Sequence, residues 1–288
     1  MRARTMPSFG IKTSPQHTTY DAIRTVWLEA EQIPVIEHAW LFDHMAPIQG
    51  DVGGDCLEGW TALAALAAIT ERLRLGLMVT GNTYRHPAVL AKIAATLDQI
   101  SHGRLDFGIG AGWNVYEHES MGIPLYKPGE RIRRLGEACE IIRRLFTEPT
   151  VDFDGKYYQL KEARSEPKPV QKPYPPFVIG GGGEQLTLRV VAKYADIWNY
   201  TGGSVEEFSH KVSVLREHCR EIERDPASIE LSYQHRINAD DFAASVPVIE
   251  QFIEAGATHI VIVLPIPHVE GLATRVAEEI ISKVQAGA

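Results

Sequence analysis

A closed (β/α)8 barrel, the TIM-barrel architecture, is the fold class that this sequence predicts. Apolar runs rich in Val, Ile, Leu and Phe alternate with helix-period segments eight times from end to end. Residues 73–80 are nearly continuously apolar, as expected of a parallel strand buried on both faces. A length of 288 residues suits one such barrel, which commonly needs about 250. The rival is an open doubly wound sheet, which normally carries a glycine loop after its first strand. Here the first strand runs into Thr13-Ser14-Pro15-Gln16-His17 instead. A single barrel domain over residues 1–288 is therefore expected.

Strands are expected at residues 8–13, 38–42, 73–80, 104–110, 177–180, 195–200, 229–234 and 259–264. Helices are expected at 20–30, 58–70, 87–101, 130–146, 184–193, 205–223, 243–254 and 269–284. Pro87 suits the first turn of the third helix, where a missing N–H costs nothing. One stretch, residues 151–172, breaks the alternation as a small insertion between helix four and strand five. It opens as a hairpin, VDFDGKYYQL, turning at Asp154-Gly155, and continues as a Pro/Lys/Glu-rich connector. An insertion after a helix lies at the N-terminal end of a barrel, so the hairpin reads as structural. If the connector crosses to the other end, it covers the site.

Composition removes several classes of function. The balance of 29 Lys+Arg against 37 Asp+Glu gives a net charge of −8, which disfavours nucleic acid or an anionic membrane as partner. No apolar run approaches the roughly 20 residues of a membrane span, and the basic opening MRARTMPSFG lacks an apolar leader core. The three cysteines, Cys56, Cys139 and Cys219, are widely spaced and form no CxxC pair, so neither a disulfide framework nor a zinc site is expected. The expected setting is cytoplasmic.

In a βα barrel the chemistry sits at the C-terminal ends of the strands. Strand two ends in Asp43-His44, and a histidine there either exchanges a proton with a ligand or is satisfied structurally by backbone. Strand three leads through Met78, Val79 and Thr80 to Asn82, with Thr80 and Asn82 as neutral hydrogen-bonding groups. Arg85-His86-Pro87 opens a helix and reads most simply as a capping turn.

Strand four ends in Gly108-Ile109-Gly110-Ala111-Gly112-Trp113-Asn114, whose alternating glycines leave backbone bare for a flat ligand. Trp113 either walls that pocket or fills core. Strand five ends in Gly180-Gly181-Gly182-Gly183, and a helix opening straight afterwards would present N–H groups to phosphate. Asn199-Tyr200-Thr201-Gly202 is placed to complete that site.

Other chemistries lack support. Glu117-His118-Glu119 and His210 show no metal-ligand spacing, so no metal is expected. No Gly-x-Ser-x-Gly elbow occurs. No lysine is read at the C-terminal end of a strand, which weighs against Schiff-base chemistry. The pattern left is a pocket in which an organic cofactor does the chemistry and the protein orients it.

These residues, in this order, resemble the bacterial luciferase-like flavin and deazaflavin oxidoreductases. The resemblance rests on Trp40-Leu41-Phe42-Asp43-His44, Thr70-Glu71-Arg72-Leu73-Arg74-Leu75-Gly76 and Tyr84-Arg85-His86-Pro87-Ala88-Val89-Leu90-Ala91-Lys92. Thr96-Leu97-Asp98, Ser101-His102-Gly103-Arg104 and the glycine segment ending at Trp113-Asn114 complete it. Together with Gly10-Ile11-Lys12-Thr13-Ser14-Pro15-Gln16-His17, they are most similar to the class that uses coenzyme F420.

The resemblance implies a barrel, usually a homodimer, with a flavin or deazaflavin ring at its mouth. It implies a cis peptide at Met78-Val79 against the ring. Asp43 and His44 would touch the ring or substrate, and Gly110, Ala111, Gly112, Trp113 and Asn114 would line the ring. Gly181, Gly182, Gly183 and Thr201 would hold phosphate. Sugar-oxidising relatives place a catalytic Glu where this chain has Trp113, which leaves His44 as the acid/base candidate and Glu58 a distant second.

The expectation is hydride transfer between coenzyme F420 and a small, apolar or conjugated organic substrate. The alternative is an FMN-dependent monooxygenase using oxygen and a partner flavin reductase. A non-catalytic flavin-binding relative and a cofactor-free barrel isomerase are weaker rivals, the latter because strand-end Lys, Glu and Asp look scarce.

Overall fold

The computed structural model describes residues 6–287, so positions 1–5 of the basic opening segment lie outside the described residues. In chain order the strands are β1 (Ser8–Lys12), β2 (His38–Leu41), β3 (Arg74–Leu77), β4 (Thr80–Gly81) and β5 (Leu105–Gly110). There follow β6 (Val151–Asp154), β7 (Gln159–Ala163), β8 (Phe177–Gly180), β9 (Ile197–Tyr200), β10 (Glu230–Arg236) and β11 (His259–Val263). Apart from the antiparallel hairpin β6–β7, all pair in parallel in the order β3-β2-β1-β11-β10-β9-β8-β5. A further β3–β5 pairing, Leu75 opposite Leu105, closes the ring. This is the expected barrel of eight strand positions, with β3 and β4 as two pieces of the third.

The helices are α1 (Tyr20–Glu31), α2 (Gly59–Ala67), α3 (Pro87–Ile100), α4 (Val115–Ser120), α5 (Pro128–Thr147) and α6 (Thr187–Tyr194). Next come α7 (Val205–Glu221), α8 (Ser245–Glu254) and α9 (Leu272–Val276), which continues through a π turn at Ala277–Ile281 into α10 (Ser282–Gly287). Among the described residues, no helix is long and apolar enough to cross a membrane.

Local chemistry explains these boundaries. In α1 the buried residues Ile23, Val26, Trp27 and Ala30 follow the i, i+3, i+4, i+7 spacing of one helical stripe, and the Thr19 side chain caps its start. Trp27 then donates Nε1–H to Thr13 Oγ1 at 2.8 Å, pinning the helix to the end of β1. α2 begins where the Glu58 carboxylate accepts from the N–H groups of Trp60 and Thr61, and α3 begins at Pro87 with His86 as its cap. The capping reading of the Arg85-His86-Pro87 turn thus holds for His86.

Most element ends shift by one to three residues from expectation, and three differences bear on the site. The third strand, read as 73–80, is interrupted at Met78-Val79, whose peptide is cis. α6 starts at Thr187 rather than at residue 184, because Gly183 supplies its carbonyl to Leu188 N only after the chain has left the strand. The short α4 was not read at all.

The barrel interior is layered, as eight-stranded parallel barrels are. At its N-terminal end His38 Nδ1 lies 2.9 Å from Asp106 Oδ2, and Arg74 also pairs with Asp106. Above these sit the buried side chains of Trp40, Met78, Val178, Ile197 and Val261. The Trp40 indole fills the space left by two glycines: a Cβ at Gly10 would lie 3.2 Å from Trp40 Nε1, and one at Gly76 would overlap the indole's six-membered ring. Alternate strand residues, such as Leu75, Phe107, Phe177 and Ile260, face outward into the larger core beneath the helices. Full burial of each contributes about 1.5–3 kcal/mol. The wide end above the Trp40 layer is left for the site.

The hairpin does not stay at the N-terminal end. Its tip climbs α5, where Glu137 accepts from the N–H groups of Lys156, Tyr157 and Tyr158, and Arg134 stacks on Tyr157. Tyr158 reaches Asn82, just past β4, at 3.2 Å. The hairpin therefore buttresses the mouth from outside.

Candidate active site

A cavity of about 520 Å³ opens at the C-terminal ends of the strands, within the size range of cofactor and small-molecule sites. Its lining brings together eleven of the residues expected from sequence: Asp43, His44, Met78, Val79, Thr80, Gly110, Ala111, Gly112, Trp113, Gly181 and Thr201. One wall is bare backbone. A Cβ on Gly110 would stand 2.8 Å from Val79 Cγ2, so only glycine lets the fourth strand approach the Met78-Val79 bend this closely. Gly181 has φ +123°, a conformation closed to side-chain-bearing residues without strain, and this turns the chain toward Thr187.

His44 faces that wall from the end of β2. Its Nδ1 lies 2.9 and 3.1 Å from the two carboxylate oxygens of Glu117, on α4. A carboxylate can only accept, so the proton sits on Nδ1 and Nε2 is the nitrogen left for the cavity. Glu117 is fully buried and also accepts from Tyr84 Oη at 2.6 Å and from the backbone N–H groups of Met45 and Ala46 at 2.5 and 3.2 Å. Burial pushes this carboxyl's pKa up, but the donors from His44 and Tyr84 outweigh it and hold the group below its usual range. Burial, aided by the bond to Glu117, conversely keeps the Tyr84 phenol protonated.

Trp113 is 59% exposed, which excludes core filling; its ring meets His44 edge-on at 5.6 Å between centroids. Asp43 is held from behind by Arg85 and by the Thr80 hydroxyl, and Arg85 also pairs with Glu58. Arg85 and Glu58 are therefore spent on fixing the β2 and β4 ends, and Glu58 serves additionally as a helix cap. It is not free to act as the second acid.

Four expected residues stand outside the lining. Asn82 turns outward to Tyr158, and Asn114 offers its carbonyl to His118 Nδ1 at 2.6 Å. Gly182 gives its carbonyl to Lys211 Nζ at 2.9 Å and Gly183 gives its own to the first turn of α6, so of the glycine run it is Gly180 and Gly181 that face the cavity.

Lys12 corrects a sequence reading. It is the last residue of β1, so a lysine does occupy the C-terminal end of a strand, and it lines the cavity. Burial, reinforced by Arg236, brings its ammonium down to about 7. Gln234, Arg236, Tyr84 and Arg131 also line the cavity without having been singled out. Arg131, near the start of α5, has a buried Nε with no partner among the described residues.

Comparison with known proteins identifies the relationship. Residues 5–257 match the family described as luciferase-like monooxygenase. The chain belongs to this family. An uncharacterized protein of Mycobacterium tuberculosis is 37% identical over 150 residues, which is 52% of each chain. The match thus spans about half the length of that relative. A protein of Microbacterium testaceum named F420-dependent glucose-6-phosphate dehydrogenase is 33% identical over 200 residues, 69% of this chain and 58% of the relative.

Among solved structures, the coenzyme F420-dependent tetrahydromethanopterin reductase of Methanopyrus kandleri superposes with a TM-score of 0.80 at 21% identity, over 97% of this chain and 100% of that one. The EDTA monooxygenase of Chelativorans sp. BNC1 does so with 0.78 at 12% identity, over 97% and 94%. These structural likenesses establish the luciferase-like barrel. Members of the luciferase-like family are oxidoreductases or monooxygenases.

Proposed function

We propose that this protein is a hydride-transferring oxidoreductase that uses coenzyme F420 and acts on a small organic substrate. The observation that carries the reading is the bare wall of Val79, Gly110, Ala111 and Gly112 facing a histidine whose inner nitrogen is already committed to Glu117. A flat heterocycle fits that wall, since any side chain at position 110 would collide with Val79. Gly181, Thr187 and Thr201 border the same cavity, and Arg131 brings an unpartnered buried N–H, so these residues would hold the phosphate. Asp43, Met78 and Thr80 complete the frame around the ring.

Bound there, a deazaflavin supplies a ring carbon that donates or accepts hydride. The remaining work falls to the chain. His44 holds or moves the accompanying proton at Nε2, while Glu117 fixes the ring of His44 through Nδ1. Trp113 packs edge-on against the His44 ring.

The second reading is an FMN-dependent monooxygenase, favoured by the superposition on the EDTA monooxygenase; it adds oxygen and a partner reductase. Titration of the purified protein with FMN and with coenzyme F420 decides between them. F420 binding with weak or no FMN binding is the expected result. Sub-micromolar FMN binding without F420 binding would overturn the choice.

A further prediction concerns the wall itself. Gly110→Ala sets a Cβ against Val79 Cγ2, so the Val79 side chain must shift; the variant should lose about 1–3 kcal/mol of stability and bind cofactor at least about tenfold more weakly. A wild-type dissociation constant in the folded variant would remove the ring from this wall.

A further inference from the structure

Lys12 stands at the end of β1, across the barrel from Gly180 and Gly181 of the phosphate region, whereas Thr201 borders both. In the closed ring β1 is four strand positions from β8, which carries Gly180. β1 and β10 flank β11, so the backbones of Lys12 and Arg236 bracket that of Val263, while Lys12 Nζ reaches Met78 O, next to Val79. There a second chamber of about 100 Å³ adjoins the main cavity and shares Lys12, Phe42, Thr201, Gln234 and Arg236 with it. That volume is several times what a single water requires.

Ser14, Gln16 and Gln49 line one side of this chamber, and Lys12 and Gln234, fixed by hydrogen bonds from behind, line the other. Asn199 Nδ2 donates to Ser232 Oγ at 3.0 Å, which presents Asn199 Oδ1 to Gln234 Nε2 at 2.6 Å. Gln234 is thereby oriented with Oε1 toward Lys12 Nζ, 2.8 Å away, and Met78 O accepts from the same Nζ at 3.0 Å. An ammonium has three donors, so one N–H of Lys12 remains for the chamber. Among the described residues, neither Lys12 nor Arg236 has a carboxylate within 4.0 Å, although the chain carries a net charge of −8. Two neighbouring cations without a counter-charge, Lys12 half-buried and Arg236 exposed, give the chamber a positive potential that attracts an anion.

We propose that Lys12 and Arg236 form an oxyanion subsite that holds the carboxylate of the substrate, so that the substrate is a small organic acid. This deepens the cofactor reading and rests on it: the ring lies on the Val79–Gly110 wall, and the acid group anchors beside it, where Lys12 Nζ and Arg236 meet at the smaller chamber. The substrate's reactive atom is then held between the ring and its anchor. An oxyanion could equally belong to the cofactor's own phosphate, and the test separates the two.

The test uses the cofactor-loaded protein with acetate, hexanoate and benzoate, each beside its neutral amide, and reads dissociation constants by calorimetry. The acids should bind in preference to their amides. Lys12→Met and Arg236→Gln should each weaken acid binding at least tenfold, leaving amide and cofactor affinity within twofold. Arg236 is exposed, so its variant reports even if Lys12→Met fails to fold.

No preference for any acid over its amide would overturn the subsite. So would variants that lose cofactor rather than acid, because the cations would then belong to the phosphate. If neither F420 nor FMN binds, the cofactor reading fails, while acid binding to the unloaded protein still reports on Lys12 and Arg236.

Discussion

His44→Ala should lower kcat by about 10²-fold or more, the range in which a positioned acid or base contributes. Cofactor affinity should change little, because the ring rests on Val79 and the glycine wall. The size of the effect follows from how few alternatives the cavity offers. Asp43 is neutralised by Arg85, Glu58 is engaged by Arg85 and by the start of α2, and Glu117 is sealed behind His44 and Tyr84. Of the three only Asp43 lines the cavity, and its pairing with Arg85 makes it a poor replacement for the imidazole. Stopped-flow reduction of the cofactor by substrate, or its reoxidation, isolates the step. A near-normal rate would take the proton role from His44 and pass attention to Lys12, the other titratable group on the wall.

How far the sequence reading reached can be traced residue by residue. The barrel was legible because each strand of a parallel barrel is buried on both faces and each helix on one, so the period changes audibly at every boundary. His44, Val79 and the Gly110 wall were legible for a related reason: they sit at strand ends, where a polar residue or a run of glycines interrupts an apolar pattern. Glu117 was not. It lies in the polar segment VYEHES, whose short helix α4 has no apolar stripe, and its role depends on a contact 73 residues away.

Lys12 escaped notice differently, because it closes the apolar run of β1 and its ammonium is oriented by Gln234, on β10, far along the chain. Asn82 and Gly182 looked like lining groups because their neighbours are; whether a loop residue turns in or out is decided by Tyr158 and Lys211, which come from elsewhere in the chain. The hairpin was misjudged in reach because its tip is carried along α5 by Glu137 and Arg134, contacts without a local signature.

The largest loss of stability from a single change at the site is expected from Glu117→Ala. The side chain is fully buried and gathers four donors: the His44 ring, the Tyr84 hydroxyl and the N–H groups of Met45 and Ala46. Alanine removes the acceptor and leaves those donors in a cavity of about the volume of the lost carboxymethyl group. Breaking a buried charged network from one side costs about 3–5 kcal/mol, and for a chain of this size that lowers Tm by about 10 °C.

Glu117→Gln keeps one carbonyl acceptor but must place an amide N–H among donors, so it should fall between wild type and alanine. Tyr84→Phe, which removes one donor and leaves the carboxylate with three, should cost only about 1 kcal/mol. The sign of the pH dependence follows from the same contacts. Because folding depresses the Glu117 pKa below its ordinary 4.5, its contribution is complete above that value and is lost as pH falls through the lower folded value. Thermal melts between neutral and acidic pH should therefore converge for wild type and Glu117→Gln at the acid end. Curves that stay parallel throughout, or a Glu117→Ala protein as stable as wild type, would mean that the carboxylate is not the hub that holds His44 in place.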